Sequence, residues 1–476
     1  MLYKLLRFIK PKDQEISKQV IFLATPVIVS NMSRVLMSVV DVAMVGRLGP
    51  SALAATGMGA MLFWGALSLV LGIRTATQTI VSRRLGQKKF SECGSALHNG
   101  LLLAAVYSIP VSLVFYLFIK EIIPFFIEDS SAIILCISYT KVVFLGLFFS
   151  SLSFVFQGFF TGIEKTKTHM AVTITSNLVN IYLNAGFIYG TENIVQFFNT
   201  KTSGFSWMGN LWSWVTFPER GVQGAGTATL IASVWMLVHY CLYLLSRDQS
   251  KKFNVWSLSF NKIMMLKQIK LALPQGSQEM AVAVGWSMYY KIMGMIGLLE
   301  LATTELVFTI MHASFMPGLG VGQAGATLVG KYLGEKEIDK AEISIRESIR
   351  WAEIIMGTMG ILFMVFPIFI LSLFTNDTSV IQLGVFGLRL LGLVQFADAI
   401  GATLWFALSG AGNTFFPAIV ESSLMWFMLL PASYLIGVTW GFGFYGVWLL
   451  FPVYLILFAS ILVWKVKKGD WKHIEV

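Results

Sequence analysis

The sequence is poor in charged residues and in cysteine. Only 13% of its 476 residues are Asp, Glu, Lys or Arg, whereas 56% are hydrophobic and the mean hydropathy is +0.72. Soluble globular domains carry about 25% charged residues, so this composition excludes a soluble enzyme. The three cysteines, Cys93, Cys136 and Cys241, form no C-x-x-C or Cys/His cluster, so the sequence indicates neither a disulfide framework nor a zinc site. The P-loop pattern G-x-x-x-x-G-K-[ST] is also missing, which argues against ATP-driven activity of this chain alone.

Apolar runs of about 20 residues recur instead along the whole sequence, and each is long enough to cross a hydrocarbon core about 30 Å thick. The runs predict twelve transmembrane helices, at roughly 18–45, 53–82, 94–118, 132–161, 169–190, 221–245, 265–296, 302–330, 349–374, 381–409, 415–438 and 442–464. We therefore expect an all-α integral membrane protein.

The distribution of basic residues predicts the orientation of these helices. The net charge of +10 would suggest nucleic acid in a soluble protein, but here the Lys and Arg residues lie between apolar runs, so we expect no nucleic-acid partner. Most of the 35 Lys and Arg fall on one side, and the loops of the other side hold only Arg47, Lys120, Lys201 and Arg220. Because Lys and Arg are retained in cytoplasmic loops, both termini are predicted to be cytoplasmic. The expected location is the plasma membrane, in bacteria the inner membrane.

The chain also contains an internal repeat. A shift of 248 residues, which places Pro26 on Pro274, superimposes rare residues over a long stretch. The matched pairs are Pro26 and Pro274, Gly46 and Gly294, Gly49 and Gly297, Gly72 and Gly320, Lys141 and Arg389, Gly162 and Gly410, and Thr166 and Thr414. Six helices per half is an even number, so equivalent helices point the same way. The repeat predicts two homologous six-helix bundles with a central cleft between them.

These patterns divide the chain into five predicted segments. They are a basic cytoplasmic N-terminal segment at 1–17, an N-lobe at 18–246, a cytoplasmic linker at 247–264, a C-lobe at 265–464 and a cytoplasmic tail at 465–476. The shift that superimposes the two halves is smaller near the end of each half than near its start, so the first half contains extra residues. We place them as an outer-side insertion at about 191–220 in the N-lobe. Its tryptophans favour an interfacial aromatic anchor over a ligand lid.

Acidic residues within the predicted spans are candidate functional groups, because a carboxylate at the bilayer centre costs about 2.5–3.5 kcal/mol on insertion scales. Asp41 lies in the first span, Glu279 in the seventh and Asp398 in the tenth, whereas Glu421 lies close to an inner helix end. Structural alternatives stay open. Asp41 lies two helical turns from Arg34 on the same face and can pair with it. Glu279 has a more distant candidate partner in Lys291.

Polar side chains of the fifth and sixth spans can join Asp41. The fifth contains Asn177, Asn180 and Asn184, and the sixth begins with small residues and includes Thr229. Small residues allow helices to approach closely, so these side chains can meet. Carboxylate, amide and hydroxyl oxygens together suit Na⁺, or a proton on the carboxylate if the site is drier. Ordinary hydrogen bonding between helices is the alternative.

These motifs resemble the multidrug and toxic compound extrusion (MATE) family over nearly the whole chain. The resemblance rests on Pro26 followed by Val40-Asp41-Val42-Ala43-Met44-Val45-Gly46-Arg47-Leu48-Gly49, on Asn180-x-x-x-Asn184, on Gly221-x-x-Gly224 with Thr229, and on Gln395-Phe396-Ala397-Asp398 followed by Gly410-Ala411-Gly412-Asn413-Thr414. It implies a two-lobed antiporter that expels organic, often cationic, compounds in exchange for Na⁺ or H⁺.

The resemblance also assigns site residues. Asp41, Asn180 and Thr229 match the cation-coupling positions of the first lobe and would hold Na⁺ if the exchange is sodium-coupled. Asn184 matches a position often occupied by Asp, and Asp398 matches the acid of the second lobe. Glu279 lies one turn before the seventh-helix glutamate of some bacterial members.

We accordingly expect a transporter and not an enzyme, with small organic substrates, membrane lipids around it, no cofactor other than the coupling ion, and a monomeric state. The main alternative is a flippase of lipid-linked oligosaccharides, for which more basic residues within the spans would be needed to meet a pyrophosphate. A receptor or channel is a further alternative, but it gives no role to an acid in each lobe.

Overall fold

The computed structural model describes residues 10–127, 129–201, 206–245 and 247–476. Long helices dominate this part of the chain. We number those that span the membrane α1 (Gln14–Gly46), α2 (Pro50–Gly86), α3 (Phe90–Ile122), α4 (Ser130–Leu145 with Leu147–Gly162), α5 (Thr166–Tyr189), α6 (Gly221–Leu244), α7 (Lys262–Ile296), α8 (Leu298–Gly334), α9 (Ile338–Val365), α10 (Thr378–Gly410), α11 (Phe415–Thr439) and α12 (Gly443–Lys468).

Twelve spans within the described residues agree with the prediction. Nine are single helices that are long and apolar enough to cross a membrane, and α4 is a tenth span bent by 46° at Gly146. Helices α5 and α7 are equally long but more polar, since α5 carries three asparagines and α7 carries several Gln and Lys residues. Some of these polar side chains, such as Asn177 and Gln275, form hydrogen bonds to other helices. The protein is therefore an all-α integral membrane protein.

Local sequence explains where some helices differ from the predicted bounds. Helix α1 begins earlier, at Gln14, because the Asp13 side chain caps it by accepting from the amides of Glu15 and Ile16. Helix α9 ends at Val365 rather than near 374, because Pro367 disfavours helical geometry in the residue before it. A short helix, Pro367–Ser372, completes that crossing. The predicted surface segment 1–17 falls mostly on residues 1–9, which lie outside the described residues.

The region predicted as an insertion folds onto the outer end of α5. It contains two short helices, Thr191–Lys201 and Ser206–Ser213. Trp212 is buried, stacks on Tyr182 with ring centroids 5.2 Å apart, and donates from Nε1 to the Tyr182 carbonyl at 2.9 Å. Trp207 and Trp214 are exposed. Only these two tryptophans are thus placed to contact a membrane interface.

Helices α1–α6 form the N-lobe and α7–α12 the C-lobe, and the two lobes contact each other by the same pairing of helices. Helix α2 packs on α7, and α8 packs on α1. At the inner end, where the predicted cytoplasmic loops lie, a Cβ at Gly86 would lie 2.0 Å from the Lys331 carbonyl oxygen. A Cβ at the equivalent Gly334 would lie 2.3 Å from the Arg83 carbonyl oxygen. The backbones meet so closely only because both residues lack a side chain.

Hydrogen bonds between the lobes are confined to the inner half of the molecule. Gln78 Nε2 donates to Thr327 Oγ1 at 2.9 Å near the inner end. The outermost such bonds in the described part of the chain are those from Asn31 Nδ2 to the Met316 carbonyl, at 3.3 Å, and from Gln275 Nε2 to Thr75 Oγ1, at 3.2 Å. Beyond this level no hydrogen bond joins the described parts of the two lobes. The two lobes are therefore joined on the side of the predicted cytoplasmic loops, and Asn31 and Gln275 mark the floor of the central cleft.

Candidate functional site

The N-lobe holds a short hydrogen-bonded chain of polar side chains near its outer end. Asn180 and Asn184 lie one turn apart on α5, and both are buried. The Asn184 amide nitrogen donates to Asn180 Oδ1 at 2.7 Å and also to Asp41 Oδ1 on α1. Asp41 itself is half-buried, and Asn184 Oδ1 is buried without a hydrogen-bond partner. A carboxylate held by one amide, next to an unused amide oxygen, is an arrangement able to accept a small cation.

The alternative pairing of Asp41 with Arg34 is not found. Arg34 Nη2 donates instead to Asn31 Oδ1 at 2.6 Å, and Asp41 has no ion pair with a described residue. Seven residues of helix separate the two side chains by about 10 Å along α1. No basic residue within the described structure therefore pairs with Asp41.

Other predicted partners of Asp41 are not hydrogen-bonded to it. Thr229 Oγ1 donates to the Ala225 carbonyl, one turn back in α6, at 3.0 Å. Its hydroxyl is therefore used by its own helix rather than by Asp41, Asn180 or Asn184. Asn177 Nδ2 donates to Ser33 Oγ on α1 at 2.7 Å, so this asparagine joins the same two helices further inward.

The C-lobe holds acids at the floor of the cleft, on three different helices. Asp398 on α10 is only 8% exposed and makes no hydrogen bond or ion pair with the described residues. Glu421 on α11 accepts a hydrogen bond from Gln278 Nε2 on α7 at 2.9 Å. Glu421 lies within electrostatic range of both Glu279 and Asp398. Within the described residues no three such side chains converge closely enough to hold one metal ion, so the acids lie apart on their three helices.

Two features of this floor were missed by the sequence interpretation. Glu421 had been placed too close to a helix end to matter, and Arg74 had no assigned partner. The structure brings Arg74 of α2 within electrostatic range of Glu279, whereas the suggested partner Lys291 is exposed. Glu421 and Arg74 are both charged residues within predicted spans, and this was the only sequence feature that could have marked them as functional.

The repeat conserves the helices but not these polar groups. With the shift of 248 residues, Asp41 corresponds to Tyr289, Ser150 to Asp398, Thr173 to Glu421 and Asn31 to Glu279. Each lobe therefore has acids that the other lacks, at different depths. Two six-helix bundles around a cleft that is closed at one end, with uncompensated acids in each bundle, define a membrane transporter.

Comparison with known proteins assigns the family. The profile of the MatE family matches residues 26–185 and again residues 278–435, so the chain belongs to this family of transporters and is not an enzyme. The probable multidrug resistance protein NorM of Thermotoga maritima is 25% identical, with 100% of this chain and 98% of that protein aligned. Its counterpart from Photorhabdus laumondii is also 25% identical, with 94% of each aligned.

Solved structures show the same fold. An outward-facing multidrug resistance MATE family transporter of the MOP superfamily superimposes with a TM-score of 0.83 and 20% identity, and 97% of each chain is covered. A Pyrococcus furiosus transporter of the MOP superfamily, described as having a binding pocket of reverse polarity, gives a TM-score of 0.82 at 20% identity, with coverage of 96% of this chain and 97% of that one.

Proposed function

We propose that this protein exports small organic compounds, often cationic, in exchange for Na⁺ or H⁺ by alternating access. The observation that carries the proposal is Asp41, a half-buried carboxylate within a span, held by Asn184 and free of any basic partner in the described structure. A carboxylate is too costly in a lipid-facing span to be kept without a use. Multidrug resistance proteins align with the chain from end to end, which supports the same role.

The exchange follows from linkage between two sites. Asp41 takes up the cation from the outer side, and the N-lobe helices rearrange around the neutralised group. The affinity of the cleft for the organic substrate then falls, and the substrate leaves before the lobes return to the inward-open state. Since each ligand lowers the affinity for the other by the same factor, uptake of the ion drives release of the substrate.

The driving force that one exchanged ion provides depends on the charge of the substrate. One charge that moves through 100 mV yields about 2.3 kcal/mol, which supports a roughly 50-fold gradient of a neutral substrate. If the substrate is itself a monovalent cation, one-for-one exchange moves no net charge. Export then depends on the chemical gradient of the ion or on a second ion.

The C-lobe acids are suited to the organic cation itself. Asp398, Glu421 and Glu279 spread negative charge over three helices at the cleft floor, which suits a delocalised organic cation better than a point-like metal ion. On the C-lobe side these charges would repel the pyrophosphate of a lipid-linked oligosaccharide, so this side of the floor favours an exporter over the alternative flippase. The proposal includes a monomer in the plasma membrane with both termini cytoplasmic.

The test is transport by purified protein in proteoliposomes with one ion gradient imposed at a time. We expect rhodamine 123 to move in the direction opposite to the H⁺ or Na⁺ that flows down its imposed gradient. We expect Asp41→Asn to reduce this movement to the level of empty vesicles. Asp377→Asn is the matched control, because Asp377 caps α10 at the outer surface and Asn caps helices equally well. Full transport by Asp41→Asn, with the gradient still required, would refute the role of Asp41.

A further inference from the structure

Arg74 is a buried charge that no described residue pairs with directly. Its side chain on α2 is only 8% exposed, yet it makes no hydrogen bond or ion pair with any described residue, and its Nε is fully buried. Its backbone is pressed against α4, since a Cβ at Gly158 would lie 2.3 Å from the Arg74 carbonyl oxygen. Helix α2 is therefore packed closely against α4 at the level of Arg74. Leaving such a charge buried and unpaired is strongly unfavourable.

A second guanidinium lies near the first. Arg34 is one turn outward from Asn31, whose bond to Met316 is among the outermost contacts between the lobes. Arg34 is thus at the cleft floor, where it is half-buried. The charges of Arg34 and Arg74 are within electrostatic range of each other, and Glu279 is the only acid found to act on Arg74 among the described residues. Glu279 lies on α7 of the C-lobe, so the N-lobe side of this part of the floor carries two guanidinium groups and the carboxylate lies opposite them.

The opposite side of the floor has the reverse imbalance. Asp398 has no partner among the described residues, and Glu421 has only the amide of Gln278. The floor of the cleft is therefore dipolar across its width, with the guanidinium groups of Arg34 and Arg74 on one lobe and carboxylates without a basic hydrogen-bond partner on the other. A ligand that carries only a cation would satisfy one side and leave the other unpaired.

We propose that the cleft floor binds dipolar organic compounds, with a carboxylate held by Arg74 and Arg34 and an amine or other cation held by the C-lobe acids. Guanidinium groups pair with carboxylates through two parallel hydrogen bonds, which a Lys cannot reproduce. This inference rests on the proposed function, since it specifies the chemistry of the exported substrate. The same guanidinium groups would also accept the phosphate of a lipid headgroup, and the experiment separates these two sources.

Rhodamine 110 and rhodamine 123 form a matched pair of probes, because the second is the methyl ester of the first and lacks only its free carboxylate. Binding of each is measured by fluorescence anisotropy on the full-length protein in neutral detergent without an ion gradient. Failure of ion coupling therefore does not affect the result. We expect the acid to bind about tenfold more tightly than the ester in the wild type. In Arg74→Gln this preference should disappear, because rhodamine 110 binds more weakly. In Arg74→Lys the preference should be retained only in part.

Arg47→Gln is the control, since Arg47 lies at the outer end of α1 with its guanidinium 5.7 Å from the Phe197 ring, outside the cleft floor. It should keep the tenfold preference. Equal binding of the two dyes by the wild type, or an equal loss of both in Arg74→Gln, would overturn the proposal.

Added phosphatidylethanolamine or phosphatidylglycerol should not remove the preference of the wild type. If either lipid instead displaces both dyes equally, and only when Arg74 is present, the site belongs to a lipid phosphate and the proposal is wrong.

Discussion

The two lobes share their helices but not their chemistry. The residues that shape the backbone recur at equivalent positions, as with Pro26 and Pro274 in the first helix of each lobe and Gly86 and Gly334 at the inner contact. The charged groups do not recur. The N-lobe places its acid, Asp41, near the outer end, and the C-lobe gathers its acids at the cleft floor. In the mechanism that we propose, duplication supplies the symmetrical contact between the lobes, and divergence separates binding of the ion from binding of the substrate.

The symmetrical part of this comparison predicts the largest effect. Gly86→Ala and Gly334→Ala each place a methyl group against a backbone carbonyl of the opposite lobe, so the inner ends can no longer close. We expect both variants to lose more than tenfold in transport rate, and to do so equally. Gly57→Ala, a glycine of α2 with open space around it, should transport normally. Wild-type transport by either inner variant, at normal expression, would show that this contact is not needed in the cycle.

The N-lobe site should respond to loss of its amide. Asn184→Ala removes the hydrogen bond that orients Asp41, and we expect the KM for the driving ion to rise about tenfold while rhodamine 123 binding changes little. Asn177→Ala removes a bond between the same two helices further inward and serves as the control. The measurement is initial transport rate against ion concentration in proteoliposomes. An equal rise in KM for both variants would mean that packing of α1 on α5, rather than the orientation of Asp41, is responsible.

The C-lobe acids should show a smaller and opposite pattern. Glu421→Gln keeps a side chain that can accept from Gln278 but removes one of several negative charges. We expect rhodamine 123 to bind about threefold more weakly, with the KM for the driving ion unchanged. Glu342→Gln, which removes a partly exposed acid paired with Lys472, is the control and should leave dye binding unchanged. Unaltered dye affinity in Glu421→Gln would remove Glu421 from the substrate surface.

Much of the fold can be predicted from the sequence, because apolar length and the spacing of Pro and Gly are local properties. The proximity of Asp41 to Asn180 and Asn184 could also be predicted, since one turn of α5 places both amides on one face. The hydroxyl direction of Thr229 was not, because a threonine in a helix chooses between its own backbone and a neighbour only in tertiary context. The unpaired state of Arg74 depends on the packing of α2 against α4 and α7, which no single-helix pattern reveals.

The most direct test of the separation of roles compares Asp41→Asn with Asp398→Asn in two assays. One assay is equilibrium binding of rhodamine 123 without a gradient, and the other is transport driven by an imposed ion gradient. We predict that Asp41→Asn binds the dye with wild-type affinity but does not transport it against the gradient. Asp398→Asn should bind the dye more weakly, yet it should still transport at saturating dye in response to the ion. Equal loss of dye binding in both variants, or loss of ion coupling in Asp398→Asn alone, would contradict the account.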